Sequence, residues 1–131
     1  GSPLALTPDQ LAELPGYGRD MEKARAEAKK LLAEAGATGL KIKLTNRNVN
    51  HPFTPTGVYV IDQWRRIGIT AEHAQLDVSQ QKASIANGDF QAAIDAFCAD
   101  SDDPKPLFLQ YLSKERSPRN MTRNAHQVGR A

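Results

Sequence analysis

Two short polar runs hold the side chains best suited to gripping a small charged solute. The first is Asn46-Arg47-Asn48, rich in donors and carrying one fixed positive charge. The second is Asp100-Ser101-Asp102-Asp103, which is acidic. A guanidinium forks onto a carboxylate through parallel N–H···O bonds, and a carboxylate accepts from an ammonium. The pair of runs would suit a zwitterion, with Arg47 on its carboxylate and an aspartate on its amine. The plainer reading makes both runs solvated loops, with Asp102-Asp103-Pro104 an ordinary helix start. Spacing alone favours that plainer reading.

Other constellations carry less. Asp100, Asp102 and Asp103 lack the alternating acids, glycine and distant glutamate of a calcium loop. His51, His73 and His126 are scattered without metal-ligand spacing, so the sequence predicts three surface histidines and no metal site. Cys98 closes an apolar run and reads as an inert core thiol. With no phosphate-loop or dinucleotide glycine pattern, nothing argues for catalysis, and no cofactor is implied.

These runs matter only if the fold brings them together, and the hydrophobic periodicities predict that it does. Thr7-Pro8 suits the start of a short helical turn over residues 7–14, which Pro15-Gly16 breaks. Asp20 caps a helix over residues 21–35 with Met21, Ala24, Ala28, Leu31, Leu32 and Ala35 as its inward stripe, and Gly36 stops it. From Leu40 the period falls to two: Leu40, Ile42 and Leu44 alternate with Lys41, Lys43 and Thr45, as in a half-buried strand near a sheet edge. Asn46-Arg47-Asn48 is then the loop at its carboxyl end. Thr54-Pro55 opens a second helix to Arg66, with Val58, Ile61, Trp64 and Ile67 facing inward. Residues 69–76 read as a strand with Ala71, Ala74 and Leu76 inward, and Asp77 caps a helix over Val78–Ala86. Phe90 to Cys98 is the most apolar run, as expected of a strand covered on both faces, and Asp95 within it would need a partner if buried. A helical stretch around Leu107–Leu112 follows the acidic run. Alternation of this kind predicts an α/β fold with a mainly parallel sheet flanked by helices. In such sheets ligands bind beyond the carboxyl ends of the strands, which would put both polar runs on one rim.

The chain has 131 residues, enough for one domain. A net charge of +2 excludes nothing sharply, but it is weak for a nucleic-acid binder, and Lys114, Arg116, Arg119, Arg123 and Arg130 read as a solvated tail. No apolar run approaches the ~18 residues that span a bilayer, and no signal-peptide pattern opens the chain. Gly1-Ser2 has the form of a scar left by tag removal. The organisation expected is a tag remnant and linker over residues 1–14, an α/β unit over residues 15–113, and a polar, basic, poorly ordered tail over residues 114–131.

Pro15-Gly16-Tyr17 leads into a helix that starts Glu-Lys-Ala and closes Leu-Leu-Ala-Glu-Ala-Gly, and this order of pieces resembles the solute-binding proteins of peptide and nickel ABC importers, known as family 5. Gln63-Trp64-Arg65-Arg66-Ile67-Gly68-Ile69 is similar to the family's helix with a Gly-Ile or Gly-Val turn. Asn87-Gly88-Asp89-Phe90 is similar to its strand entry, and Phe97-Cys98-Ala99-Asp100 with Asp103-Pro104 to its aromatic-x-x-Asp loop. Each motif is weak alone; four in order over residues 15 to 112 are strong together. The resemblance implies part of one lobe of a two-lobed periplasmic binder that captures a peptide or similar small solute and docks on ABC permease subunits. It implies that Asp100 pairs with the ligand's amino terminus, with Ser101 and Asp102 beside it, and that Arg47 with Asn48 takes the carboxylate of short peptides. Phe97 departs from the family, where tryptophan is common, and the tail after Ser113 fits it only loosely. A partial lobe would also expose a sheet edge and a route to self-association. A self-contained α/β regulatory or interaction domain without a small-molecule site is the alternative that the residues leave open.

Overall fold

The computed structural model describes residues 5–14, 17–18, 20–96, 103 and 105–112. Its elements run α1 (Pro8–Glu13), α2 (Met21–Glu34), β1 (Lys41–Arg47), α3 (Phe53–Arg66), β2 (Thr70–Leu76), α4 (Val78–Asn87), β3 (Ala92–Ala93) and α5 (Lys105–Phe108), the last followed by a 3-10 turn, Leu109–Tyr111. Helices and strands alternate from α2 onward, and the sheet is parallel, as the periodicities predict. The chain divides into two compact units, residues 1–41 with 60–71 and residues 42–59 with 72–131.

In the first unit the helix ends follow from local chemistry. Thr7 and Gln10 form a reciprocal capping box, each side chain bonding the other's backbone N–H (3.3 and 2.9 Å). Asp20 caps α2 by accepting from the Lys23 N–H at 2.9 Å. At the other end Gly36 has φ +65, and the Gly36 and Ala37 N–H groups return to the Ala33 and Leu32 carbonyls. That pair of bonds is the Schellman arrangement, which needs a left-handed residue after the helix. Ala24, Ala28 and Leu32 are half-buried, but Met21 and Leu31 are 45% and 55% exposed, so the predicted apolar stripe is narrower than its spacing suggested. Near the end of α3, Asp62 accepts from both Arg65 and Arg66 at 2.8 Å. The guanidinium of Arg66, then that of Arg65, holds its carboxyl below the usual value of 3.8.

The second unit holds most of the sheet, whose order is β2-β1-β3. β1 is therefore central, which corrects the edge position expected from its exposed Lys41 and Lys43. Only its first half alternates. Leu44, Thr45 and Asn46 are consecutively buried at 2%, 1% and 0% exposure, so both faces of the strand are covered there. Asn46 and Arg47 belong to the strand and not to the loop after it. β1 pairs with β3 in parallel, Leu44 opposite Ala92 and Thr45 opposite Ala93, and the Ile94 N–H adds a bond to the Thr45 carbonyl.

β3 is shorter than the strand expected over Phe90–Cys98. At its entry the Gln91 side chain takes the Lys43 N–H, and at its exit the Ile94 carbonyl accepts from a side chain, that of Gln81. Ala92, Ala93 and Ile94 are half-buried, and Phe97 and Cys98 lie outside the described residues. α3 starts at Phe53, one residue before the Thr54 expected to cap it, and Thr54 hydrogen-bonds the Val49 carbonyl instead. Val58, expected inward, is 58% exposed.

α4 is capped as its sequence predicts. The Asp77 carboxylate accepts from the Ser79 Oγ (2.6 Å) and from the Ser79 and Gln80 N–H groups (2.9 and 3.0 Å), and Gly88 closes the helix at φ 70. The Ser79 hydroxyl first, and the Gln80 N–H next, hold this carboxyl below its ordinary 3.8. A carboxyl depressed on folding contributes stability that is present above its unfolded pKa and lost as pH falls through its folded one. Asp77→Asn keeps an acceptor at the cap but removes the titration. The variant is therefore expected to lose less stability than wild type as pH falls below the ordinary carboxyl value of 3.8, as read from urea midpoints at each pH. Parallel curves would remove Asp77 from the acid response.

Candidate functional site

Parallel pairing sets the carboxyl ends of β1 and β3 on one rim of the sheet. Arg47 is the last residue of β1, and Asp95 lies just beyond β3. The two form an ion pair between Nη2 and Oδ1, with Arg47 16% exposed and Asp95 39% exposed. Arg47 Nε also donates to Gln81 Oε1 at 3.2 Å, and its guanidinium lies over the Phe53 ring, 4.5 Å from the centroid. β1, α3, α4 and the end of β3 thus each fix one side of a single cation. A cation over an aromatic face gains about 0.5–1 kcal/mol. The ion pair itself, with one member open to water, is worth at most about 1 kcal/mol.

Beneath Arg47 the sheet carries a buried polar cluster. Asn46 is fully buried; its Nδ2 donates to the Phe53 carbonyl at 2.7 Å and to His73 Nε2 at 2.9 Å, while its Oδ1 accepts from the Arg47 N–H at 2.8 Å. His73 is half-buried on β2, which corrects the surface position expected of it. With an amide NH2 facing it, Nε2 takes the acceptor role. Gly57 of α3 is buried against this pair: a Cβ there would lie 2.3 Å from His73 Nε2 and 2.7 Å from Asn46 Nδ2. Gln81 is also fully buried, with Oε1 accepting from Arg47 and Nε2 donating to the Ile94 carbonyl at 3.0 Å.

Of the residues singled out in the sequence, Arg47 and Asn48 are at the β1 end of this rim. Asn48 is exposed, and its backbone N–H donates to the Leu76 carbonyl at 2.7 Å. Asp100, Ser101 and Asp102 lie outside the described residues. The sequence asked for a partner at Asp95 only if it were buried and did not point to Arg47, placed His73 at the surface, and singled out neither Asn46 as a buried hub nor Gln81. One signal was available for Gln81: it precedes Ile85 by four residues, placing an amide on the apolar face of α4, and the two are the buried residues of that helix. Separately, a groove of about 500 Å³ is lined by Lys43, Thr45, Ala74, Leu76, Ser84 and Asp89 among others, and includes neither Arg47 nor Asp95. Among the described residues no group of histidine, cysteine or acidic side chains could hold a metal ion, and no helix is long and apolar enough to cross a membrane.

Comparison with known proteins gives a consistent result. Residues 4–119 match the model for bacterial extracellular solute-binding proteins, family 5 Middle. No curated protein matches the chain. Among solved structures it is similar to a peptide-binding protein of a peptide ABC transporter (24% identity, TM-score 0.66), with 81% of this chain and 47% of that one covered. It is similar to the substrate-binding domain of an oligopeptide ABC transporter from Bacillus anthracis (23% identity, TM-score 0.67), covering 92% of this chain and 24% of that one. It is also similar to MppA, a periplasmic murein tripeptide binding protein in an unliganded open form (21% identity, TM-score 0.74), covering 87% and 22%. The chain thus spans under half the length of the first of these structures and about a quarter of the other two.

Proposed function

Because the chain belongs to family 5 of the bacterial extracellular solute-binding proteins, we propose that it forms part of the ligand-binding lobe of a longer, extracytoplasmic protein that captures a peptide or similar small solute for an ABC importer. The observation that carries this reading is the family match across residues 4–119. The same match counts against a self-contained regulatory domain. The rim supports the reading independently, since it presents a positioned guanidinium at the carboxyl end of a central parallel strand, where α/β folds bind ligands. On this reading Arg47 and Asn48 receive the carboxylate end of a short peptide. Asp100, with Ser101 and Asp102, receives its ammonium. Permease subunits are the partners of the whole protein at the membrane.

Asp100→Ala in the full-length parent is expected to weaken binding of a short peptide by roughly 2 kcal/mol or more, because the variant leaves a desolvated ammonium unpaired. Isothermal calorimetry measures this directly. An unchanged affinity would remove Asp100 from the site.

A further inference from the structure

We infer that Asp95 is a built-in stand-in for the ligand's carboxylate: it pairs with Arg47 until a peptide with a free carboxyl end displaces it. The inference rests on Arg47 receiving that carboxylate, and it makes Asp95 a specificity-determining residue for the site. Among the described residues three contacts hold the guanidinium, and they are not equivalent. Gln81 is fully buried and Phe53 offers a ring face, so both keep Arg47 in position whatever Asp95 does. Asp95 is the solvent-facing contact, at 39% exposure. A pair of this kind is weak, so an incoming carboxylate, which brings the same charge and the same acceptor geometry, can replace it.

The backbone allows the exchange. The paired register of β3 ends at Ala93, and Ile94 is tied separately, its N–H to Thr45 and its carbonyl to Gln81. Among the described residues Asp95 therefore lies just past these bonds to the sheet, and its side chain can turn away without breaking them. The same Oδ1 accepts from the Ala96 N–H at 2.9 Å, a donor on the next residue that moves together with Asp95 when the segment turns away from Arg47. The consequence is a threshold. A ligand with a free carboxyl end must outcompete an internal carboxylate, whereas a ligand with an amidated end gains nothing from Arg47 and leaves Asp95 in place.

Calorimetry of the full-length parent with trialanine and with trialanine amide tests this. Asp95→Asn is expected to bind trialanine about fivefold tighter than wild type. The affinity for the amide is expected to change by less than about twofold. Equal shifts for both peptides, or weaker binding of trialanine, would overturn the role of Asp95 while leaving the peptide-binding reading intact. If the wild-type protein binds neither peptide, that reading fails and this inference fails with it. A measurement on the wild-type protein guards against a variant that does not fold. The side-chain carboxyl resonance of Asp95 in a carbon-detected NMR titration should move with trialanine and stay in place with the amide. No movement with bound trialanine would also overturn the proposal.

Discussion

Gly57→Val is expected to destabilise the fold by about 3 kcal/mol, at the upper end of overpacking costs. Gly57→Ala should destabilise it too, by about 1–2 kcal/mol, and the alanine variant is the sharper test. A glycine inside a helix ordinarily costs about 1 kcal/mol relative to alanine, so propensity alone predicts that the alanine variant is more stable. Packing predicts the reverse. The new Cβ would meet His73 Nε2 at 2.3 Å and Cε1 at 2.7 Å, distances at which something must move. The imidazole is held by Asn46, which is fully buried and bonded on three sides, so the cluster has little room to give. Moving His73 aside would break the Asn46 bond, at about 1 kcal/mol, on top of the strain. The terms favouring glycine exceed the helix term. A urea midpoint that rose in Gly57→Ala would show that α3 does not approach the strands so closely.

Asn46→Ala is expected to cost about 3 kcal/mol, because it leaves several buried groups without partners at about 1–3 kcal/mol each. Those groups are the Phe53 carbonyl, His73 Nε2 and the Arg47 N–H. Asn46→Asp, though nearly the same shape, should be no better. A carboxylate keeps the acceptor toward Arg47 but cannot donate, and it would face the Phe53 carbonyl oxygen directly. Denaturant unfolding of the two variants side by side distinguishes this from a simple loss of volume, for which aspartate would be tolerated. Survival of Asn46→Asp at wild-type stability would refute the assignment of its Nδ2 contacts.

How much of this was legible in the sequence follows from the range of the interactions. Helix ends are written locally: Thr7 with Gln10, Asp20 with Lys23, and Asp77 with Ser79 and Gln80 all act within three residues, and each was readable as a cap. The order of elements and the parallel sheet were readable as well, from the change of period at Leu40 and from the family motifs. The position of β1 was not. Its exposed lysines sit in the first half, and burial on both faces begins only at Leu44, which depends on what covers the strand. The length of β3 was overestimated for a related reason. An apolar run says that a segment is covered, not that its backbone stays in a ladder, and here side chains of Gln91 and Gln81 take over the bonding at both ends. The partners of Arg47 were invisible because Gln81 and Asp95 lie 34 and 48 residues away in the chain.

Gln81 carries a further consequence, best put in terms of how many amino acids a position can admit. Its side chain must accept from a guanidinium at one atom and donate to a backbone carbonyl at another, while fully enclosed. Glutamate lacks the donor, lysine lacks the acceptor, and asparagine has the right atoms on a stem one carbon too short. An alphabet of twenty thus contracts to a very few letters at a site that lies beside another glutamine, Gln80, which is exposed on the same helix. The information needed to bring three chain segments together at the rim is concentrated in that one amide, and its neighbour of the same type carries almost none of it.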